Sequence, residues 1–186
     1  MRIQTGGQSM SARRIHIVGA SGSGTTTLAA AVAQALGVPQ YDSDTIFWLP
    51  TDPPFAVQRP QSERLAMLVA ALSGEGWVLS GSLLSWGLEV VDRFDLVVFL
   101  YLDPEIRIAR TLARERARFG HRIEAGGDMY DMHQAFITWS RGYDDGSNGG
   151  RSLASHRAWL DTLYCPVLEI TDAPSVEDAV ARVLGV

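Results

Sequence analysis

The stretch Arg14-Ile15-His16-Ile17-Val18-Gly19-Ala20-Ser21-Gly22-Ser23-Gly24-Thr25-Thr26-Thr27-Leu28 decides the fold: an apolar strand, a glycine-rich turn and the start of an alanine-rich helix. Glycines at 19, 22 and 24 accept positive φ and carry no Cβ, so successive backbone N–H groups can turn inward around an anion. A helix beginning near Thr25 adds its free N–H groups and the positive end of its dipole. The spacing fits G-x-x-x-x-G-K-[ST] at every defined position except the lysine, which is replaced by Thr25. Gly19, Ala20, Ser21, Gly22, Ser23, Gly24, Thr25, Thr26 and Thr27 are therefore the expected phosphate cradle, with the Thr26 hydroxyl offered to Mg²⁺.

The missing lysine cannot be supplied from elsewhere, because all 16 basic side chains are arginines. Any side-chain cation at the phosphates must be a guanidinium, which grips phosphate oxygens through two parallel hydrogen bonds. Thr25 also leaves open a nucleotide-binding regulatory protein without turnover. A dinucleotide fingerprint is the rival reading of the loop, with Asp42 about twenty residues on as the ribose acid. Thr27 opposes it, since that pattern needs a glycine or alanine there for close helix packing.

A chain of 186 residues that is 46% hydrophobic can bury a real core, and its length favours one domain, expected over residues 12–186. A net charge of −5 argues against nonspecific nucleic-acid binding, which needs a basic surface. Cys165 stands alone, so it is read as a structural thiol. No apolar run approaches the roughly 18 residues of a spanning helix, and the polar start offers no signal-peptide core, so a soluble, cytoplasmic protein is expected. Residues 1–11 are expected to form a flexible tail.

Along the chain, five strands alternate with helices. Leu28, Val32 and Leu36 give the first helix an apolar seam that Gly37 and Pro39 end. Val38–Tyr41 is the second strand and delivers Asp42-Ser43-Asp44 to a strand end, where open α/β sheets bind ligands. In extended backbone the two carboxylates point the same way and suit Mg²⁺ or a substrate hydroxyl; the alternative is an Asx-turn pair leaving the strand. Asp52–Pro60 holds three prolines and reads as a loop over a substrate, with Trp48 and Arg59 able to hold a base and a phosphate, or as a loop packing its own aromatics. Ser62–Ser73 is a helix, and Trp77–Ser82 is the third strand with its exit. There Gly81 allows close approach and Ser82 offers a hydroxyl.

Asp95–Asp103 is an apolar run typical of a strand covered on both faces. Pro104 opens a helix with Arg107, Arg110, Arg114 and Arg118 along one stripe, read either as a solvated face or, for Arg114 and Arg118, as phosphate contacts. These two enter the glycine-rich segment 119–127, expected to be mobile. Met129–Trp139 is helical, and Arg141–Arg151 is too polar to pack. Leu153–Leu163, Pro166–Ile170 and Val176–Leu184 supply a helix, the last strand and the closing helix.

The phosphate loop, Asp42-Ser-Asp44 with Phe47-Trp-Leu-Pro50, Trp77-Val-Leu-Ser-Gly81, the arginine-rich helix after Asp103-Pro104, and Tyr143-Asp-Asp145 with Arg151 and Cys165-Pro-Val-Leu168 together resemble small P-loop kinases. The likeness is to the nucleoside-monophosphate-kinase-like group, including bacterial adenylate kinase-like and DNA topology modulation protein-like members, and it spans residues 14–184. It implies a three-layer α/β P-loop fold with a parallel sheet of order 2-3-1-4-5 and a helical lid over 115–150. It also implies ATP and Mg²⁺ on the loop, held by Thr26 and Asp42, and an acceptor site around loop 44–62. There Asp42, Asp44, Trp48, Arg59, Gly81 and Ser82 would bind a small-molecule phosphate acceptor. Asp44 would orient it, while Arg114, Arg118, Arg141 and Arg151 contact the moving phosphoryl. A nucleoside monophosphate is the first acceptor expected, a polyhydroxy acid or sugar the second. The chain departs from adenylate kinases at Ser80-Gly81, in place of their Asp-Gly, and in Asp42-Ser-Asp44, a pattern similar to shikimate- and gluconate-type kinases. Phosphoribulokinases carry a similar Gly-Thr-Thr loop ending.

Overall fold

A computed structural model describes residues 13–185, so the expected flexible tail at 1–11 lies outside the described residues. Five strands form one parallel sheet: β1 (Arg14–Gly19), β2 (Gln40–Asp42), β3 (Trp77–Ser80), β4 (Leu96–Leu100) and β5 (Val167–Ile170). Their order, β2-β3-β1-β4-β5, is the expected one. β1 lies at the centre because Ile15, Ile17 and Val18 can be buried on both sides, and each of the three is fully inaccessible. Its outer end is tied to β4 by Asp95, which accepts from the backbone N–H groups of Arg13 and Arg14 and pairs with the Arg14 side chain at 2.6 Å.

Alternation along the strands sorts the core into two layers. Ile15, Ile17, Val78 and Val98 face helices α1 (Thr25–Leu36) and α7 (Val176–Leu184), meeting Val32, Ala33 and Val183. Val18, Leu79, Val97 and Phe99 face the other side, where Leu68 of α3 (Gln61–Ala71) and Trp159 of α6 (Leu153–Leu160) cover them. This is a three-layer α/β domain. No helix among the described residues is long and apolar enough to cross a membrane.

Differences from expectation lie at the strand ends. The acidic pair does not continue the strand: Asp42 closes β2 and caps a short helix, α2 (Ser43–Phe47), accepting from the Asp44 N–H at 2.9 Å. The Asx alternative therefore describes the backbone, and it turns the two carboxylates out of a shared extended register. Helix α4 (Pro104–Phe119) starts at an Asp103 cap with Pro104 in its first turn, as its sequence dictates. The segment after it folds into a corner: a 3₁₀ turn (Gly120–Ile123) buries Ile123 and leads through Met129, 2% exposed, into α5 (Tyr130–Arg141). Gly127 is necessary there because a Cβ would strike the Arg122 carbonyl.

Candidate active site

The loop between β1 and α1 is shaped by contacts as much as by torsion. Gly22 has φ +84°, and a Cβ at that position would collide with the Arg107 carbonyl and the Thr111 hydroxyl of α4. The cradle thus rests directly on α4. Ser23 donates its hydroxyl to the Ala20 carbonyl at 2.8 Å, closing the turn. Gly24, at φ +99°, caps α1 without a side chain, so the first-turn N–H groups of α1 have no side-chain cap competing for them. These features are what an anion cradle requires.

Thr26 and Asp42 meet as the motif logic expects. The Thr26 hydroxyl donates to Asp42 Oδ2 at 3.0 Å, and the other Asp42 oxygen accepts the Asp44 amide. No group of three or more His, Cys, Asp or Glu side chains that could hold a metal exists among the described residues. One carboxylate and one hydroxyl beside a phosphate cradle fit Mg²⁺, which takes few protein ligands and completes its shell with phosphate oxygens and water.

Asp44 lies two residues further on, in the first turn of α2, where it is exposed to solvent. Desolvation raises its carboxyl above the usual carboxylate range and the Asp42 charge adds to the rise; Arg151, Arg114 and Arg118 oppose it. Three of the four arginines expected at a moving phosphoryl thus act on this carboxylate. Arg151 also reaches the cradle, with Nη2 3.3 Å from Ser21 Oγ, and stacks over Trp139 at 5.0 Å. Arg118 lies over Phe55 at 5.0 Å, and Arg114 pairs with Glu115 at 3.0 Å. Arg141 stands apart, exposed at the end of α5, and is not among the charges acting on Asp44.

The remaining acceptor-side candidates are used mainly by the protein itself. Arg59 donates to the carbonyls of Ile46 and Trp48, which fastens the loop whose ends meet at Trp48 and Gln58. Trp48 packs between Phe47 and Phe55, with ring centres 4.9 and 6.2 Å away. The self-packing alternative therefore describes this loop. Gly81, at φ +93°, is required because a Cβ would overlap the Ser43 hydroxyl. Ser82 meets His156 Nε2 at 3.2 Å, and His156 Nδ1 lies 2.7 Å from the Tyr143 hydroxyl. Burial first, then the Arg151 and His16 charges, lowers the His156 pKa to about 3, so this relay runs through a neutral ring.

Several residues were not singled out by pattern. Arg107, on the arginine stripe of α4, is only 1% exposed, and it binds Asp144 at 2.5 Å and the Ser140 carbonyl at 2.8 Å. The sequence places it on one stripe with Arg110, Arg114 and Arg118 and gives no sign that it turns inward. Arg110 joins Thr27, Leu28, Leu100 and Ile170 in lining a cavity of about 140 Å³ beside the cradle. Arg64 of α3 lies over Phe47 at 4.3 Å, at the edge of the acceptor loop. Helical spacing marked its neighbours as core but gave no reason to single out the arginine.

Among known proteins, the chain is 41% identical over 173 residues to YqaC, an uncharacterized protein of Bacillus subtilis (strain 168), covering 92% of this chain and 96% of that protein. The chain belongs to the YqaC family. It is also 31% identical over 114 residues to a cytidylate kinase of Archaeoglobus fulgidus, spanning 55% of this chain and 62% of that enzyme. No family model matches. Among solved structures it resembles a shikimate kinase from Acinetobacter baumannii bound to shikimate, with a TM-score of 0.54 and 19% identity over 92% of this chain and 90% of that one. A shikimate kinase from Bacteroides thetaiotaomicron gives a TM-score of 0.53 and 21% identity over 92% and 95% of the two chains. A gluconokinase from Sinorhizobium meliloti gives 0.50 and 17% over 93% and 90%. The solved structures show that the chain shares the three-layer α/β fold of those kinases.

Proposed function

We propose that this member of the YqaC family is a Mg-ATP-dependent phosphotransferase whose acceptor presents a hydroxyl group. The observation that carries the reading is the placement of Asp44: its amide donates to Asp42, the carboxylate that accepts from Thr26 of the cradle, and the charges of Arg151, Arg114 and Arg118 act on its own carboxylate. A carboxylate at the acceptor end suits a neutral hydroxyl, whose proton it accepts as the oxygen attacks the γ-phosphorus and the bond to the β,γ-bridging oxygen breaks. It would repel an acceptor that is already a phosphate anion. The arginines offset the charge that spreads over the phosphoryl oxygens.

In this reading the cradle from Gly19 to Thr27 holds the phosphates, and the cavity lined by Arg110 and Ile170 receives the base. Thr26 and Asp42 would hold Mg²⁺ directly or through water, and the ion would supply positive charge to the phosphates. Segment 44–62 covers the acceptor, and 115–150 acts as the lid within a single domain, Arg118 over Phe55 being one point where they touch. Arg64, stacked on Phe47 and without an ion pair among the described residues, is a handle for an anionic group on the acceptor, which favours a polyhydroxy acid over a neutral sugar. A nucleoside monophosphate is the second reading, favoured by the sequence likeness to the cytidylate kinase.

The test is ADP formation from Mg-ATP with a panel of hydroxy acids, sugars and nucleoside monophosphates. A hydroxyl acceptor that raises ADP formation well above the ATP-only rate supports the reading. Transfer to nucleoside monophosphates alone supports the second.

A further inference from the structure

We infer that Arg151, arriving from the far side of the lid, takes the place of the lysine that position 25 lacks. This rests on the kinase reading above and deepens it by assigning the cation of the phosphate cradle. The chain has no lysine at all, so the cation must be an arginine, and geometry distinguishes among the candidates. Arg107 lies under the cradle, but its guanidinium is buried against Asp144 and the Ser140 carbonyl. Arg110 faces the cavity beside Thr27. Arg114 is held by Glu115, and Arg118 lies between the rings of Phe55 and Phe119 on the acceptor side.

Arg151 alone in this set hydrogen-bonds to the loop, through Nη2 to Ser21 Oγ. Its charge also acts on Asp44, so one guanidinium is near enough to serve both the donor loop and the acceptor carboxylate. Stacking on Trp139 holds the guanidinium plane, and Nε is buried without a protein partner. A side chain positioned this way addresses the terminal phosphate rather than the whole nucleotide. It also arrives with the chain that follows α5, where Tyr143 is fixed by His156 and Asp144 by Arg107. A cation that in the motif is built into the loop would here be delivered by the lid. Thr25 can then be neutral, because a lysine there and Arg151 would bring two charges to one set of oxygens.

The experiment compares the whole protein with Arg151→Ala, Thr25→Lys and the double variant, titrating each with Mg-ATP and with Mg-ADP by calorimetry. The expected result is that Arg151→Ala weakens Mg-ATP at least tenfold and Mg-ADP less than threefold, and that adding Thr25→Lys returns Mg-ATP affinity to within threefold of Thr25→Lys alone. An unchanged Mg-ATP affinity in Arg151→Ala, equal weakening of both nucleotides, or an additive loss in the double variant would each overturn the assignment. If Arg151→Ala does not fold, Arg151→Gln, which retains a donor toward Ser21 but no charge, is read by the same titrations. Failure of the kinase reading looks different: the unaltered protein binds no Mg-ATP, or binds it and transfers to no acceptor while the Arg151 effects on binding persist.

Discussion

Replacing Arg107 by Met should unfasten the lid exit from α4 at a cost that the structure sets. The guanidinium is 1% exposed and holds Asp144, the Ser140 carbonyl and, at 5.2 Å, the face of Tyr143. Methionine fills most of the stem volume, so little of the loss comes from a cavity. The main loss comes from leaving a carboxylate and a carbonyl without their cation. Breaking a buried pair in this one-sided way costs about 3–5 kcal/mol. The Asp144 side chain is 22% exposed and so is partly rehydrated, which places the expected loss near the lower figure, ~3 kcal/mol. For a chain of this size that lowers the melting temperature by about 6–12 °C, at about 2–4 °C per kcal/mol. Urea unfolding of the full chain measures the loss, and Asp144→Asn in the same background supplies the control. Because Asn carries no charge to strand, the double variant should recover about 1 kcal/mol or more relative to Arg107→Met. A loss below about 1 kcal/mol, or a further loss on adding Asp144→Asn, would refute a charge-compensating role for Arg107.

Stability should also fall on acidification because His16 is sealed between Phe94 and Trp159, which burial alone drives to a pKa of about 4 from the ordinary 6.5. The unfolded chain binds the proton first, so stability present above pH 6.5 is lost as pH falls toward 4, by about 3 kcal/mol for this group. Urea midpoints between pH 7 and 4.5 should show it, and His16→Leu should reduce that slope without abolishing it, because buried neutral His156 loses stability over the same range. Gly22→Ala should destabilise more than Gly24→Ala, since both have positive φ but only at Gly22 does a Cβ meet neighbouring atoms; equal melting temperatures would show that the loop does not rest on α4. Asp44→Asn should cut turnover at least about tenfold while leaving Mg-ATP affinity within a few fold. The acid limb of kcat/KM, expected above the usual carboxylate range because the Asp44 pKa is raised, should disappear in that variant; an unchanged limb would remove Asp44 from proton transfer.

The fold was legible because its signals are local. The β1–loop–α1 stretch, the apolar run of β4 and Pro104 at the start of α4 each specify backbone within a few residues. The encounter of Thr26 with Asp42 was legible too, since both lie at the ends of elements that the parallel sheet places side by side. Long-range pairing was not. Arg107 and Asp144 are 37 residues apart, and nothing in an arginine stripe tells which member turns inward. Arg59 and Ser82 looked like free polar groups because their partners, two carbonyls and a neutral histidine, are set only by tertiary packing. The glycines of segment 119–127 did not reveal its fold: Gly127 is there because the chain passes too close to Arg122 for a side chain.

The most direct test of the account is the rate of ADP formation from Mg-ATP with hydroxy acids, sugars and nucleoside monophosphates, measured on the unaltered protein and on Asp44→Asn. The account predicts stimulation by a hydroxyl acceptor, strongest for one carrying an anionic group, and its loss in the variant. Stimulation by nucleoside monophosphates alone, or a stimulated rate that Asp44→Asn leaves intact, would contradict it.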